Sequence, residues 1–344
     1  MLQKRLAGLD LIKVMAVFSV ISIHSIGNLH ILDMNMQGIK AFIILTFRYL
    51  VMSCVPLFLM ITGFLQGRKT MDRKFYKGLL PILASYWFIA ALGAIYNMSQ
   101  DAAITWQTAV LSVFNFTANN YSWYVEMFIG LFLLIPFFNA GYASLQTKQK
   151  KLFLLAILFL LTIAPSVMTM FQTAEKSYDI LSKYWMEFYP ITYYLLGVFI
   201  AEYKPRPNRL FCLAGALLCS VLPVVIVFLK AGGGAYVPWV FNGFYSVSSF
   251  FTALFLFLAF YQWDIQNKAF RFVLTAVAVS SLDIYLFSNL TEKLIYPHIG
   301  QIPLKLPVMI LIIFAASFIA AKIKQLLFFI CRTGYQKLKN QKRS

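Results

Sequence analysis

Three ionisable residues stand where a membrane-crossing segment tolerates few: Asp10, Lys13 and His24, within GLDLIKVMAVFSVISIHSI at residues 8–26. An α-helix turns about 100° and rises about 1.5 Å per residue, so Lys13 and His24 lie ~16 Å apart along the axis with only ~20° between their azimuths. Asp10 precedes Lys13 by three residues and falls on the same side. Ionisable groups inside a bilayer are costly and normally face a bundle interior or a wet cavity, which marks all three as functional candidates. An unperturbed imidazole titrates near neutrality, and that suits His24 to general-base work on a hydroxyl. A helix–helix hydrogen bond is the other use of such a histidine, and periodicity leaves both open. Lys13 alone would snorkel to the interface; on the His24 face it points to an anion partner. Asp10 either neutralises Lys13 or caps the helix start.

Further candidates follow along the chain. Arg48 interrupts the second apolar stretch and calls for an acid in the bundle, for which Glu126, Glu187 and Asp283 are available. The loop GRKTMDRKFYKGLLP gathers Arg68, Lys69, Arg73, Lys74 and Lys77. Topology accounts for most of that charge, and a phosphate-bearing ligand would also find it there. Trp123 and Tyr124 open the fourth stretch as an interfacial aromatic belt. Glu126, one turn further in, needs a partner or a water-lined cavity. Cys54, Cys212, Cys219 and Cys331 have neither metal-ligand nor disulfide-framework spacing, and no metal site is expected.

The elements that must position these groups are apolar helices. The chain has 344 residues, 60% hydrophobic and 12% charged, about half the charge of a soluble protein. About ten spans can be drawn: 9–27, 41–65, 78–98, 121–141, 152–171, 185–203, 209–229, 241–262, 272–290 and 306–329. Of 30 lysines and arginines, 22 then fall on one side, in its loops, tails and adjoining span ends, six on the other, and Lys13 and Arg48 remain within spans. The positive-inside rule makes the richer side cytoplasmic, with both termini there. The net charge of +18 is thereby explained by topology, and nucleic acid is not an expected partner. No small-x-small cleavage site follows the first apolar core, so it reads as a retained helix and not a signal peptide. Residues 99–120 hold an apolar patch about half the length of a span and read as interfacial or re-entrant. Gly232-Gly233-Gly234 reads as an outer turn, since the strand-to-helix frame of a phosphate loop is missing. The expected class is an all-α polytopic transmembrane bundle, with residues 1–331 as the membrane domain and 332–344 as a basic cytoplasmic tail.

LDLIKVMAVFSVISIH resembles the first helix of the integral-membrane acyltransferase-3 family, which typically reads LDxLR, ten residues, then His. Here Lys13 fills the arginine slot and His24 the histidine slot. VPLFLMITGFL, SWYVEMFIGLFLLIP and SLDIYLFSN are similar to later family stretches, in family order. Lys74 and Lys77 resemble the basic pair before the third span, with lysines for arginines. Ser288 stands where the late helix commonly has histidine. The resemblance implies a membrane-embedded O-acyltransferase that moves an acetyl group from acetyl-CoA, a co-substrate and not a resident cofactor, to a hydroxyl of a surface glycan or lipid-linked saccharide. It implies His24 as the catalytic residue and Lys13, Lys74 and Lys77 as acyl-donor contacts; Arg48, outside the matched stretches, is read as a further substrate or acyl-donor contact. Asp10, Glu126, Trp123 and Tyr285 would support them. Membrane lipid, acyl-CoA and polysaccharide-synthesis machinery are the implied partners, in a bacterial plasma membrane. A flippase for lipid-linked sugars and a non-catalytic subunit of a polysaccharide-export system are the alternatives the polar stripe allows.

Overall fold

A computed structural model describes residues 6–173, 176, 180–298 and 305–341, with side chains of the last helix as far as residue 333. In chain order the helices are α1 (Ala7–Asn28), α2 (Gly38–Val51), α3 (Cys54–Gln66), α4 (Arg73–Lys77), α5 (Leu80–Gln100), α6 (Trp106–Phe114) and α7 (Trp123–Ser144). They continue with α8 (Lys148–Thr162), α9 (Tyr189–Tyr203), α10 (Arg209–Ala231), α11 (Val247–Phe260), α12 (Lys268–Val279), α13 (Ser281–Ile295) and α14 (Lys305–Gln341). No strand occurs among the described residues.

Seven segments among the described residues are long and apolar enough to cross a bilayer, and an eighth if α12 and α13 cross together. The remaining two expected spans are the 15-residue α9 and the 14-residue α11. Both are shorter than the ~20 residues that a span requires. Ten of the 15 residues of α9 are buried, which makes it an interior helix and not a lipid-facing one. The outer face of α10 is the opposite case, exposing Leu217, Leu218, Leu222 and Leu229. Such a surface belongs in lipid, where apolar exposure carries no penalty. The second span breaks between α2 and α3, where Pro56 has no N–H to offer the Met52 carbonyl. The expected interfacial segment holds the nine-residue α6. Gly232 and Gly233 take positive φ values of 54° and 85° and end α10 in a left-handed turn, as expected of that run.

The chain divides into two compact units: Met1–Leu80 with Met127–Ala278, and Pro81–Glu126 with Val279–Ser344. In the first, α3 packs on α9 and α1, while α10 packs on α11 and α2. The α3–α9 contact depends on two glycines. A Cβ on Gly63 would strike the Tyr194 carbonyl, and one on Gly197 would strike that of Met60. Small residues let helix backbones close in this way where lipid supplies no hydrophobic drive. In the second unit α13 packs on α14. The Tyr86 hydroxyl of α5 donates to the Val113 carbonyl at 2.7 Å, and the Tyr86 ring stacks on Phe116.

Candidate active site

The first unit holds the polar stripe. α1 runs unbroken from Ala7 to Asn28, so the helical spacing of Asp10, Lys13 and His24 is preserved. Asp10 is 4% exposed, and Lys13 and His24 are half-buried. Leu6 is the N-cap residue and Asp10 lies within the first turn, so Asp10 does not cap the helix. Its Oδ2 instead accepts from the Thr275 hydroxyl of α12 at 3.1 Å.

The basic loop that follows α3 is tied down at both ends. Asp72 caps α4, its carboxylate accepting from the Phe75 N–H at 2.6 Å. Phe75 is buried and stacks on Phe132, centroids 4.4 Å apart. With Phe75 turned inward, Lys74 and Lys77 are exposed on the short helix. At the other end, Asn139 of α7 donates through Nδ2 to the carbonyls of Gln66 and Lys69, both at 2.8 Å. Its Oδ1 accepts from the Tyr194 hydroxyl at 2.7 Å. Asn139 is therefore the pin of the loop that carries Arg68, Lys69, Arg73, Lys74 and Lys77. Nearby in sequence terms, Lys151 is buried as well, paired with Glu202 at 2.6 Å and set over the Tyr142 ring at 4.7 Å.

Arg48 departs from expectation. It is 7% exposed, yet the carboxylate expected beside it is not among its described partners. Its Nη2 donates to Asn242 Oδ1 at 2.6 Å, and its guanidinium carbon lies 5.6 and 5.4 Å from the ring centroids of Tyr49 and Tyr236. The acids proposed for it are placed otherwise. Asp283 pairs with Lys324 at 2.7 Å, and Glu126, in the first turn of α7, and Glu187 are both exposed, so burial imposes no partner on either.

The second unit carries the remaining candidates. Tyr285 is buried; its hydroxyl donates to the Tyr121 carbonyl and its ring meets Tyr124 edge-on, with centroids 5.6 Å apart. Tyr124 in turn packs edge-on against Trp123, at 6.0 Å. Asn119 donates to the Leu286 carbonyl at 2.9 Å, and the Tyr121 hydroxyl to the carboxylate of buried Glu292. This cluster of Asn119, Tyr121, Tyr285 and Glu292 escapes sequence reasoning except at Tyr285. The signal available is a second acid, Glu292, nine residues after Asp283 in the same stretch. Lys324 likewise reads as a loop charge by position, yet Asp283 and Ser85 hold it inside.

Among the described residues no group of three or more histidine, cysteine, aspartate or glutamate side chains is arranged to hold a metal ion. Comparison with curated proteins and with solved structures gives no match. A family model described as an acyltransferase domain matches residues 6–322, from the start of α1 to within α14. That match runs through every element described above, and by it the chain belongs to the acyltransferase-3 family of membrane acyltransferases.

Proposed function

We propose that the chain is an O-acyltransferase that takes an acetyl group from cytosolic acetyl-CoA and delivers it to a hydroxyl of a cell-surface polysaccharide or its lipid-linked precursor. The observation that carries this reading is α1: one unbroken helix with Lys13 near its basic-loop end and His24 three turns deeper on the same side. Family membership supplies the acyl transfer; the stripe supplies the direction.

In this reading the coenzyme A phosphates meet Lys13, Lys74 and Lys77, with Arg68, Lys69 and Arg73 adding to the field. The pantetheine arm is long enough to carry the thioester along the ~16 Å from Lys13 to His24. His24 takes the proton from the acceptor hydroxyl as its oxygen attacks the thioester carbonyl. The tetrahedral adduct then collapses, the C–S bond breaks, and the imidazolium returns the proton to the departing thiolate. The ester and free coenzyme A leave, and His24 is neutral again. Lysine makes a point-charge contact where arginine would fork, so phosphate is held here by charge rather than by bidentate geometry.

The test uses the full chain, purified in nanodiscs, with acetyl-labelled acetyl-CoA and polysaccharide acceptor. Transfer of label that His24→Ala abolishes at normal protein level supports the reading. NMR of surface polysaccharide from cells with and without the gene supplies the second arm. Acetyl content unchanged by His24→Ala overturns the assignment.

A further inference from the structure

Arg48 is a permanently charged group set in an apolar layer. Tyr49, Leu45, Met36, Val240 and Phe241 around it are all buried. It lies ten residues into α2, ~15 Å along the axis from that helix's first residue, and α2 starts at the end of the bundle away from the 66–77 loop. A neutral amide and two aromatic faces compensate only part of a guanidinium's desolvation.

Three hydrogen-bond donors converge there with capacity to spare. Nη1 of Arg48 is buried without a hydrogen-bond acceptor, and so is the Tyr236 hydroxyl. Asn242 uses Oδ1 to accept from Arg48, which leaves its Nδ2 hydrogens to donate. Asn242 is also exposed, so the cluster opens to a ligand on that side. Buried donors without acceptors are costly, and a group bearing two or more acceptor oxygens would satisfy all three.

We propose that Arg48, Tyr236 and Asn242 form an oxyanion site that holds the carboxylate or phosphate of an acidic sugar acceptor. Binding itself is independent of the O-acyltransferase reading; only the ligand's role as acceptor rests on that reading. The site would select charged saccharides over neutral ones.

The test is titration of the full chain, in nanodiscs of zwitterionic lipid, with glucuronate, glucose 1-phosphate and neutral glucose. One or both anions bind the wild type and glucose does not; the two anionic arms separate a carboxylate source from a phosphate source. Arg48→Gln weakens anion binding about tenfold or more, and Arg48→Lys restores part of it. Tyr236→Phe keeps the ring beside Arg48 and removes only the hydroxyl, and it weakens binding severalfold. His24→Ala leaves anion binding at the wild-type level while abolishing transfer. Equal affinity of wild type and Tyr236→Phe, together with equal affinity for charged and neutral sugar, overturns the site. If transfer occurs but no anion binds, the site falls and the acyltransferase reading stands; if anions bind but no transfer occurs, the reverse holds.

Discussion

Lys324 of α14 and Asp283 of α13 form an ion pair at 2.7 Å with both side chains buried. Ser85 accepts a second hydrogen bond from the ammonium, and Gln325 donates to the other carboxylate oxygen at 3.3 Å while its amide also reaches Ser280 at 3.1 Å. Asp283 lies in the first turn of α13, where the helix dipole favours a negative charge. The network binds α13 to α14 and anchors the helix that carries Tyr285.

Removing one partner strands the other charge. Lys324→Ala should therefore destabilise the protein by about 3–5 kcal/mol, the cost typical of a broken buried pair. The neutral double variant Lys324→Gln, Asp283→Asn should recover most of that loss, since no charge is then left unpaired. Thermal unfolding of the wild type and these two variants makes the comparison; a Lys324→Ala loss below about 1 kcal/mol would show that water reaches the carboxylate.

The close approach of α3 and α9 makes a second stability prediction. Gly63→Ala and Gly197→Ala each place a methyl against a backbone carbonyl of the facing helix. Neither neighbour is a flexible side chain, so the helices must part. Each substitution should cost about 1–3 kcal/mol, as overpacking does. Gly130→Ala, at a glycine inside α7 whose added Cβ meets nothing within 4 Å, is the control and should leave stability unchanged or slightly raised.

What the sequence reveals about this protein follows from which physical signals are periodic. Long apolar runs and loop charge place nearly every helix, because both are repeated over many residues. Single polar residues inside those runs are harder. Asn139 and Asn242 carry no charge that would raise suspicion, and their work depends on carbonyls and a guanidinium brought close only by folding. Arg48 was legible as a costly group but its partner was not, since an acid is the natural expectation and an amide with two tyrosines does the task. Lys151 and Lys324 read as loop charges, because a lysine near a span end normally snorkels; here each finds a carboxylate first.

Asn139 should matter to function through the loop it pins. Asn139→Ala removes hydrogen bonds to the carbonyls of Gln66 and Lys69 and leaves the Tyr194 hydroxyl without its acceptor. The basic loop then loses its fixed register relative to α7. On the proposed docking of acetyl-CoA at that loop, with His24 on another helix, KM for acetyl-CoA should rise about tenfold with a smaller change in kcat. Tyr194→Phe, which spares both loop carbonyls, should leave KM near the wild-type value. Steady-state kinetics with acetyl-CoA varied at fixed acceptor distinguish these outcomes, and a fall confined to kcat would remove the loop from donor binding.

Lys13 offers the sharpest test of how the donor is held. If charge alone attracts the phosphates, Lys13→Arg preserves the cation and should keep KM for acetyl-CoA within about twofold of wild type or lower it, since arginine adds a fork. Lys13→Ala should raise KM about tenfold or more, the scale of one charge-assisted hydrogen bond. Its effect should shrink as salt rises from low to physiological strength, because screening weakens the charge contact already in the wild type. Should Lys13→Ala lower kcat with KM unchanged, the lysine acts on the reacting groups and not on the phosphates. The donor would then enter closer to His24 than the axial spacing of α1 implies.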